Sequence, residues 1–112
     1  DVMKFLEHSI KKEFSYDIIL ADPPSWGHGT NKQVWDFNQQ IYLLVTNILK
    51  TLNRKHGIFM LATHTHGVQH EALKNLLNGQ YFFKTVSSGE LGIKHTYDNR
   101  ILPAGIFALG KN

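Results

Sequence analysis

Hydrophobic and polar residues follow two different periods along this chain. Three segments carry apolar residues at helical spacing, and between them lie short apolar runs rich in β-branched residues, which are typical of buried strands. The helical segments are residues 2–13, a run of about five turns that begins at Asp36, and residues 68–77. The predicted strands are residues 17–21, 57–63, 81–88 and 105–110, and the last two are joined by a glycine-containing connection over residues 89–103.

This order of elements predicts an α/β fold with a partly parallel sheet. Strands that alternate with helices favour right-handed βαβ units, whereas the last two strands have no helix between them and are expected to form an antiparallel hairpin at the sheet edge. Residues 23–34 hold two prolines and two glycines and are predicted to form a long loop.

Composition narrows the function classes. The 112 residues suffice for one domain or part of one, and the apolar fraction of 42% contains no run that approaches a membrane span. Cysteine is absent, which excludes disulfides, thiolate zinc sites and a cysteine nucleophile within this segment. The formal charge of +3 is compatible with an anionic partner. Because the chain opens on Asp1 without a signal sequence, we expect a trimmed segment of a cytoplasmic protein.

Candidate chemistry lies where the first strand ends, in "YDIILADPPSWGHG" (residues 16–29). Ligands of open α/β sheets bind outside the carboxyl ends of the strands, and Asp22 falls at such an end. Proline has no backbone N–H, so Asp22 and the carbonyl of Pro23 can together accept two hydrogen bonds from an amino group. The ring of Trp26 can stack on a flat aromatic substrate, whereas Trp35 is interpreted as a packing residue.

These residues resemble motif IV of the class I S-adenosylmethionine-dependent methyltransferases, here with one inserted residue, Asp22-Pro23-Pro24-Ser25-Trp26. That spacing is similar to the branch of the large-subunit ribosomal RNA methyltransferases. The segments "GHGTNKQVW" and "ILPAGIFALG" also resemble that branch's glycine-rich loop and closing hairpin strand. The resemblance implies a three-layer Rossmann-like methyltransferase sheet, of which residues 1–112 form the C-terminal portion.

The resemblance also implies where a cofactor would bind. Asp1 and Val2 fall where the family contacts the adenine of S-adenosylmethionine, and Asp22 faces the cofactor as well as the acceptor. The family's glycine-rich motif I and its ribose-binding acid have no counterpart in this sequence. We therefore expect the segment alone to bind the cofactor weakly and to be inactive.

On this interpretation the enzyme methylates a nucleobase amine, in ribosomal or other RNA, with Asp22 and Pro23 as catalytic residues. Carbon-5 methylation of cytosine is disfavoured because the covalent route needs a cysteine. Pro24, Trp26, Lys32 and His64 are the candidate substrate-binding residues, with Lys32 assigned a phosphate contact and His64 the rim of the pocket. An exposed sheet edge offers a place for a homodimer contact.

Two other function classes remain open. A non-enzymatic Rossmann-like binding module is one, since a fold does not dictate an activity. The other is a histidine metal hydrolase, because "HTHGVQH" (residues 64–70) places three histidines near a strand end. No carboxylate stands there at ligand spacing, so we predict no metal site. The segment "GHGTNK" lacks the ending of a P-loop.

Overall fold

The computed structural model describes residues 1–29 and 32–112. Its first helix, α1, spans Val2–Lys11, and the Asp1 carboxylate caps it by accepting a hydrogen bond from the Met3 amide at 2.9 Å. The predicted helix over residues 2–13 is therefore slightly too long. Glu13 has a φ of 56°, a left-handed conformation in which an α-helix cannot continue.

The second helix, α2, spans Phe37–Leu49 and is shorter than the predicted five turns. The helical spacing of apolar residues persists as far as Leu52, which is buried, but this residue forms an isolated parallel bridge with Tyr16. The periodicity thus marks burial beyond the point where the helix ends. The third helix, α3, spans His70–Asn78, within two residues of the prediction.

Four strands form the main sheet in the order β1-β4-β6-β5. Strand β1 (Ile18–Ala21) is parallel to β4 (Ile58–Thr63), and β6 (Ile101–Lys111) is antiparallel both to β4 and to the edge strand β5 (Thr85–Lys94). The sheet therefore combines the predicted parallel pair with the predicted antiparallel hairpin at one edge.

Two predicted connections contain additional strand residues. Within residues 23–34, expected to be a loop, the chain begins a small antiparallel hairpin of β2 (Trp26–His28) with β3 (Val34–Asp36); positions 30 and 31 of that prediction lie outside the described residues. Much of the expected connection over 89–103 belongs to β5 and β6. Conversely, Tyr81 has a φ of 52°, so the predicted strand at 81–88 begins only at Thr85.

The core lies on one face of the sheet. Alternate residues of β4 are fully buried there, Phe59 and Leu61 among them, together with side chains from all three helices. On β1, by contrast, Ile18 and Leu20 are 63% and 72% exposed. The helices of the described residues thus cover one face of the sheet, in keeping with the expected partial three-layer arrangement, and the face that carries Ile18 and Leu20 is open. None of the described helices is long and apolar enough to cross a membrane.

Candidate active site

Two polar residues singled out in the sequence follow neighbouring strands at the same edge of the sheet. Ala21 of β1 pairs with Leu61 of β4 in parallel, so Asp22 and His64 both lie just beyond the carboxyl ends of these strands. The protruding part of the β5–β6 hairpin extends past the same edge, since the last β4 partner in β6 is Ile106.

The segment Asp22–Ser25, called here the acceptor loop, is fastened at its C-terminal end. The indole Nε1 of Trp35 donates a hydrogen bond to the Pro24 carbonyl at 2.6 Å, and the amide of Phe37 donates to the Ser25 carbonyl at 3.0 Å. Both donors belong to the junction of β3 with α2. The loop is thereby attached to a helix whose inner face is the centre of the core.

The acceptor end of the loop presents unpaired oxygen atoms. The Asp22 side chain is exposed, and within residues 1–29 and 32–112 its carboxylate receives no hydrogen bond from the protein. The Pro24 carbonyl is already occupied by Trp35. Within the described residues the Pro23 carbonyl likewise accepts no hydrogen bond, so the Asp22 carboxylate and the Pro23 carbonyl can both accept from a ligand.

A cavity of about 1200 Å³ lies against this loop, between α1, β1 and the β2–β3 hairpin. Its lining is mostly apolar and includes two carboxylates, which makes it suited to a flat, partly polar ligand. The sequence-predicted residues that line it are Asp1, Val2, Asp22, Pro23 and Pro24.

The three other predicted residues lie outside this cavity. Trp26 is 58% exposed, and its ring meets that of His28 edge-on at 4.4 Å between centroids. Gly27 and its cross-strand partner Trp35 line the cavity, as do His28 and its partner Val34, whereas Trp26, at the start of β2, does not. Lys32 is exposed on the same hairpin.

His64 lines a second, smaller cavity of about 330 Å³ together with Thr63, Thr65, Glu90 and residues of β6. Gly105 makes this arrangement possible. It has a φ of 103°, and a Cβ atom there would lie 2.8 Å from the Thr63 carbonyl oxygen and 3.1 Å from the His64 ring.

The histidines of residues 64–70 are not gathered around a common point. His70 Nδ1 lies 2.8 Å from the Ser88 hydroxyl, so that its ring ties α3 to β5. Among the residues that the structure describes, no group of three or more histidine or carboxylate side chains has the arrangement of a metal site.

The sequence did not suggest that Trp35 belongs to this site, where its indole N–H donates to the Pro24 carbonyl. At the end of the loop and the start of a helix, Trp35 is interpreted as a packing residue, and it is half-buried against the core as expected. The hydrogen bond to Pro24 depends on the β2–β3 hairpin, which brings residues eleven positions apart into contact. Prolines next to a glycine-rich stretch gave no strand signal from which that hairpin could be predicted.

Comparison with solved structures supports the fold. An S-adenosylmethionine-dependent methyltransferase from Agrobacterium tumefaciens matches 99% of this chain with a TM-score of 0.87 and 27% sequence identity. A candidate methyltransferase in complex with S-adenosylhomocysteine (SAH) matches 98% with a TM-score of 0.69 and 18% identity. A candidate S-adenosylmethionine-dependent methyltransferase from Streptococcus mutans matches 98% with a TM-score of 0.66 and 17% identity.

The predicted α/β class, with its Rossmann-like methyltransferase sheet, is thus confirmed. The chain spans only 38%, 30% and 29% of the lengths of these three structures. No protein-family model matches it, and no curated protein is similar enough in sequence to count as a match.

Proposed function

We propose that residues 1–112 are the acceptor-binding portion of an S-adenosylmethionine-dependent methyltransferase. The observation that carries this proposal is the acceptor loop: Asp22 and the Pro23 carbonyl stand with open acceptor positions at the carboxyl end of β1, beside a large cavity. The Agrobacterium methyltransferase supports it through a similar fold over nearly the whole chain.

The residues around the cavity suit the cofactor. Asp1 and Val2 lie at the start of α1, and with Asp22 they give the lining of the cavity two carboxylates and an apolar side chain. A carboxylate oxygen can accept from the amino group of an adenine, and Val2, which is half exposed, offers an apolar contact to its ring. The Asp1 Oδ1 atom already caps α1, so its second oxygen is the one assigned to the cofactor.

The acceptor loop orients the amine that receives the methyl group. S-adenosylmethionine supplies an electrophilic methyl group on a sulfonium. Hydrogen bonds from the two N–H groups of an exocyclic amine to Asp22 and Pro23 favour the tetrahedral nitrogen, whose lone pair is then directed away from both protons. The Asp22 carboxylate also stabilises the positive charge that develops on this nitrogen.

For the substrate we propose a nucleobase in RNA, ribosomal RNA in the first instance. The β2–β3 hairpin would supply the contacts outside the cavity: the exposed ring of Trp26 can stack on a base, and Lys32 can meet a phosphate. His64, at the neighbouring strand end, would lie at the rim. The formal charge of +3 is compatible with a polyanionic partner.

The open face of the sheet supports assigning residues 1–112 to the C-terminal portion of a larger methyltransferase domain. Ile18 and Leu20 are exposed on a strand that is paired along one edge only, and covering each of these side chains would contribute about 1.5–3 kcal/mol. The three similar structures are much longer than this chain. We therefore propose that further polypeptide covers this face and completes the cofactor pocket, and that the free edge of β5 serves any homodimer contact.

The proposal is tested with the complete protein, methyl-labelled S-adenosylmethionine and ribosomal RNA. Asp22→Ala is expected to lower the rate of transfer about 100-fold or more, because it removes an acceptor and the charge beside the reacting nitrogen. Asp17→Ala is the matched control, since Asp17 immediately precedes β1 at its other end. Equal rates in Asp22→Ala and Asp17→Ala would remove Asp22 from the mechanism, and no transfer by the parent protein would refute the proposed function.

A further inference from the structure

We propose that Trp35 is a positioning residue for methyl transfer, holding the acceptor loop in its working geometry through its indole N–H. This inference rests on the proposed function and adds a residue to it. Its basis is the 2.6 Å hydrogen bond from Trp35 Nε1 to the Pro24 carbonyl, a short contact for an N–H donor.

The Pro24 carbonyl is a suitable point at which to fix this loop. Neither Pro23 nor Pro24 has a backbone N–H, so these two residues can be held only through their carbonyls or by packing. The Pro23 carbonyl and the Asp22 carboxylate must remain open for the acceptor amine. Trp35 therefore binds the Pro24 carbonyl, which the substrate does not need, and leaves the neighbouring Pro23 carbonyl free for the substrate.

Trp35 itself is held by a rigid support. Its neighbour Asp36 caps α2, accepting from the Gln39 amide at 3.2 Å, while the Gln40 side chain accepts from the Asp36 amide at 2.7 Å. The next residue, Phe37, is 2% exposed and its amide holds the Ser25 carbonyl. Two hydrogen bonds, from the Trp35 indole to the Pro24 carbonyl and from the Phe37 amide to the Ser25 carbonyl, thus fix the acceptor loop to the start of helix α2.

Trp35 and the residue that it holds line the same cavity. Gly27 lies opposite Trp35 in the β2–β3 hairpin, and Trp35, Pro24 and Gly27 all contribute to the cavity lining. Small shifts at such a site are costly, since misplacement of a reacting group by about 1 Å can lower a rate about 100-fold.

A packing role and a positioning role predict different results when only the N–H is removed. Trp35→Phe in the complete protein deletes the donor and keeps an aromatic ring, and replacement of Trp35 by benzothienylalanine deletes the donor while keeping the bicyclic shape. Tyr42→Phe is the matched control, because Tyr42 is an exposed aromatic residue of α2 that lies outside the site. Each protein is measured for kcat, for KM of S-adenosylmethionine and of RNA, and for its melting temperature.

A positioning role predicts that both Trp35 replacements lower kcat about 10- to 100-fold while the KM for S-adenosylmethionine stays within about twofold. Tyr42→Phe should match the parent. If the benzothienylalanine protein melts like the parent and keeps the parent's kcat, the role is packing alone and the inference is wrong. That result requires an active parent, so it is distinct from failure of the proposed function, in which the parent itself transfers no methyl group.

Hydrogen exchange provides a readout that does not depend on activity. In a ¹⁵N-labelled sample the Trp35 indole N–H, bonded to Pro24, should exchange with water much more slowly than that of Trp26, which is 58% exposed. The Trp35 signal is identified by its loss in Trp35→Phe. Exchange at Trp35 as fast as at Trp26 would show that the hydrogen bond does not persist in solution and would overturn the inference.

Discussion

Two glycines with left-handed backbones show how single residues shape the edge of the sheet beyond β4. Gly67 and Gly105 have φ values of 79° and 103°, which are strained for any residue with a Cβ atom. They differ in their surroundings: nothing lies within 4 Å of a Cβ placed at Gly67, whereas at Gly105 it would collide with the backbone of Thr63. Gly105 is therefore a constraint on how closely β6 approaches the end of β4.

This difference predicts unequal effects of alanine. Gly67→Ala is expected to cost about 1 kcal/mol of stability, from backbone strain alone, and Gly105→Ala at least about 2 kcal/mol because strain and collision add. Denaturant unfolding of the two variants measures both values. Equal losses would mean that β6 moves aside freely and that Gly105 does not set the position of His64.

The sequence predicts which residues belong to the site more readily than it predicts where their side chains lie. The Asp-Pro-Pro motif at a strand end indicated where the acceptors lie, since proline and parallel-strand geometry leave few alternatives. Which face of the loop each aromatic residue occupies depends on the β2–β3 register, and the sequence did not reveal that hairpin. Trp26 and Trp35 were accordingly distinguished by position in the motif, and the structure adds that Trp35 lines the cavity and bonds to Pro24.

At the scale of elements, α2 is the support on which the site is built. Its N-terminus is closed by the Asp36 side chain and by the Gln40 side chain reaching back, and the first residue of the helix is buried. A weakened cap would loosen the same residues that hold the acceptor loop. The start of this helix therefore contributes to stability and, on the proposed role of Trp35, to function.

Removal of the cap gives a prediction at this scale. Asp36→Ala is expected to destabilise the protein by about 1 kcal/mol, because the Gln39 amide loses its acceptor. Asn38→Ala, at an exposed position of the same first turn, should change stability by less than about 0.5 kcal/mol. Thermal unfolding compares the two, and an Asp36→Ala effect no larger than that of Asn38→Ala would rule out a capping contribution.

The hairpin of β5 and β6 shows why element lengths were harder to predict than element types. Its outer part contains glycines and a proline and lies beyond the last residues paired with β4, so it resembles a connection in sequence. At its tip, Arg100 donates hydrogen bonds to the Asp98 carboxylate from its side chain and from its backbone amide. These hydrogen bonds hold the pKa of the Asp98 carboxyl below its ordinary value of 3.8. Local polar contacts of this kind leave no periodic signal.

At the scale of the whole molecule, the exposed apolar residues of β1, Ile18 and Leu20, lie on the open face of the sheet. The order of strands and helices was enough to predict a parallel pair with an antiparallel edge hairpin, because chain connectivity restricts the possible sheets. It did not predict which face would be open, since Ile18 and Leu20 read as buried strand residues. The pattern of a buried strand and the observed exposure of Ile18 and Leu20 are consistent with each other if the further polypeptide that we propose covers this face.

The central claim is that Asp22 and the Pro23 carbonyl hold an exocyclic amine for methylation. It is tested most directly by mass spectrometry of nucleosides from RNA that the complete protein has methylated with labelled S-adenosylmethionine. The two acceptors predict that the label resides on an exocyclic nitrogen of a base, and that Asp22→Ala removes it. A label on a ring carbon or on a ribose oxygen would contradict the claim, since neither atom belongs to an amine that can donate two hydrogen bonds to this loop.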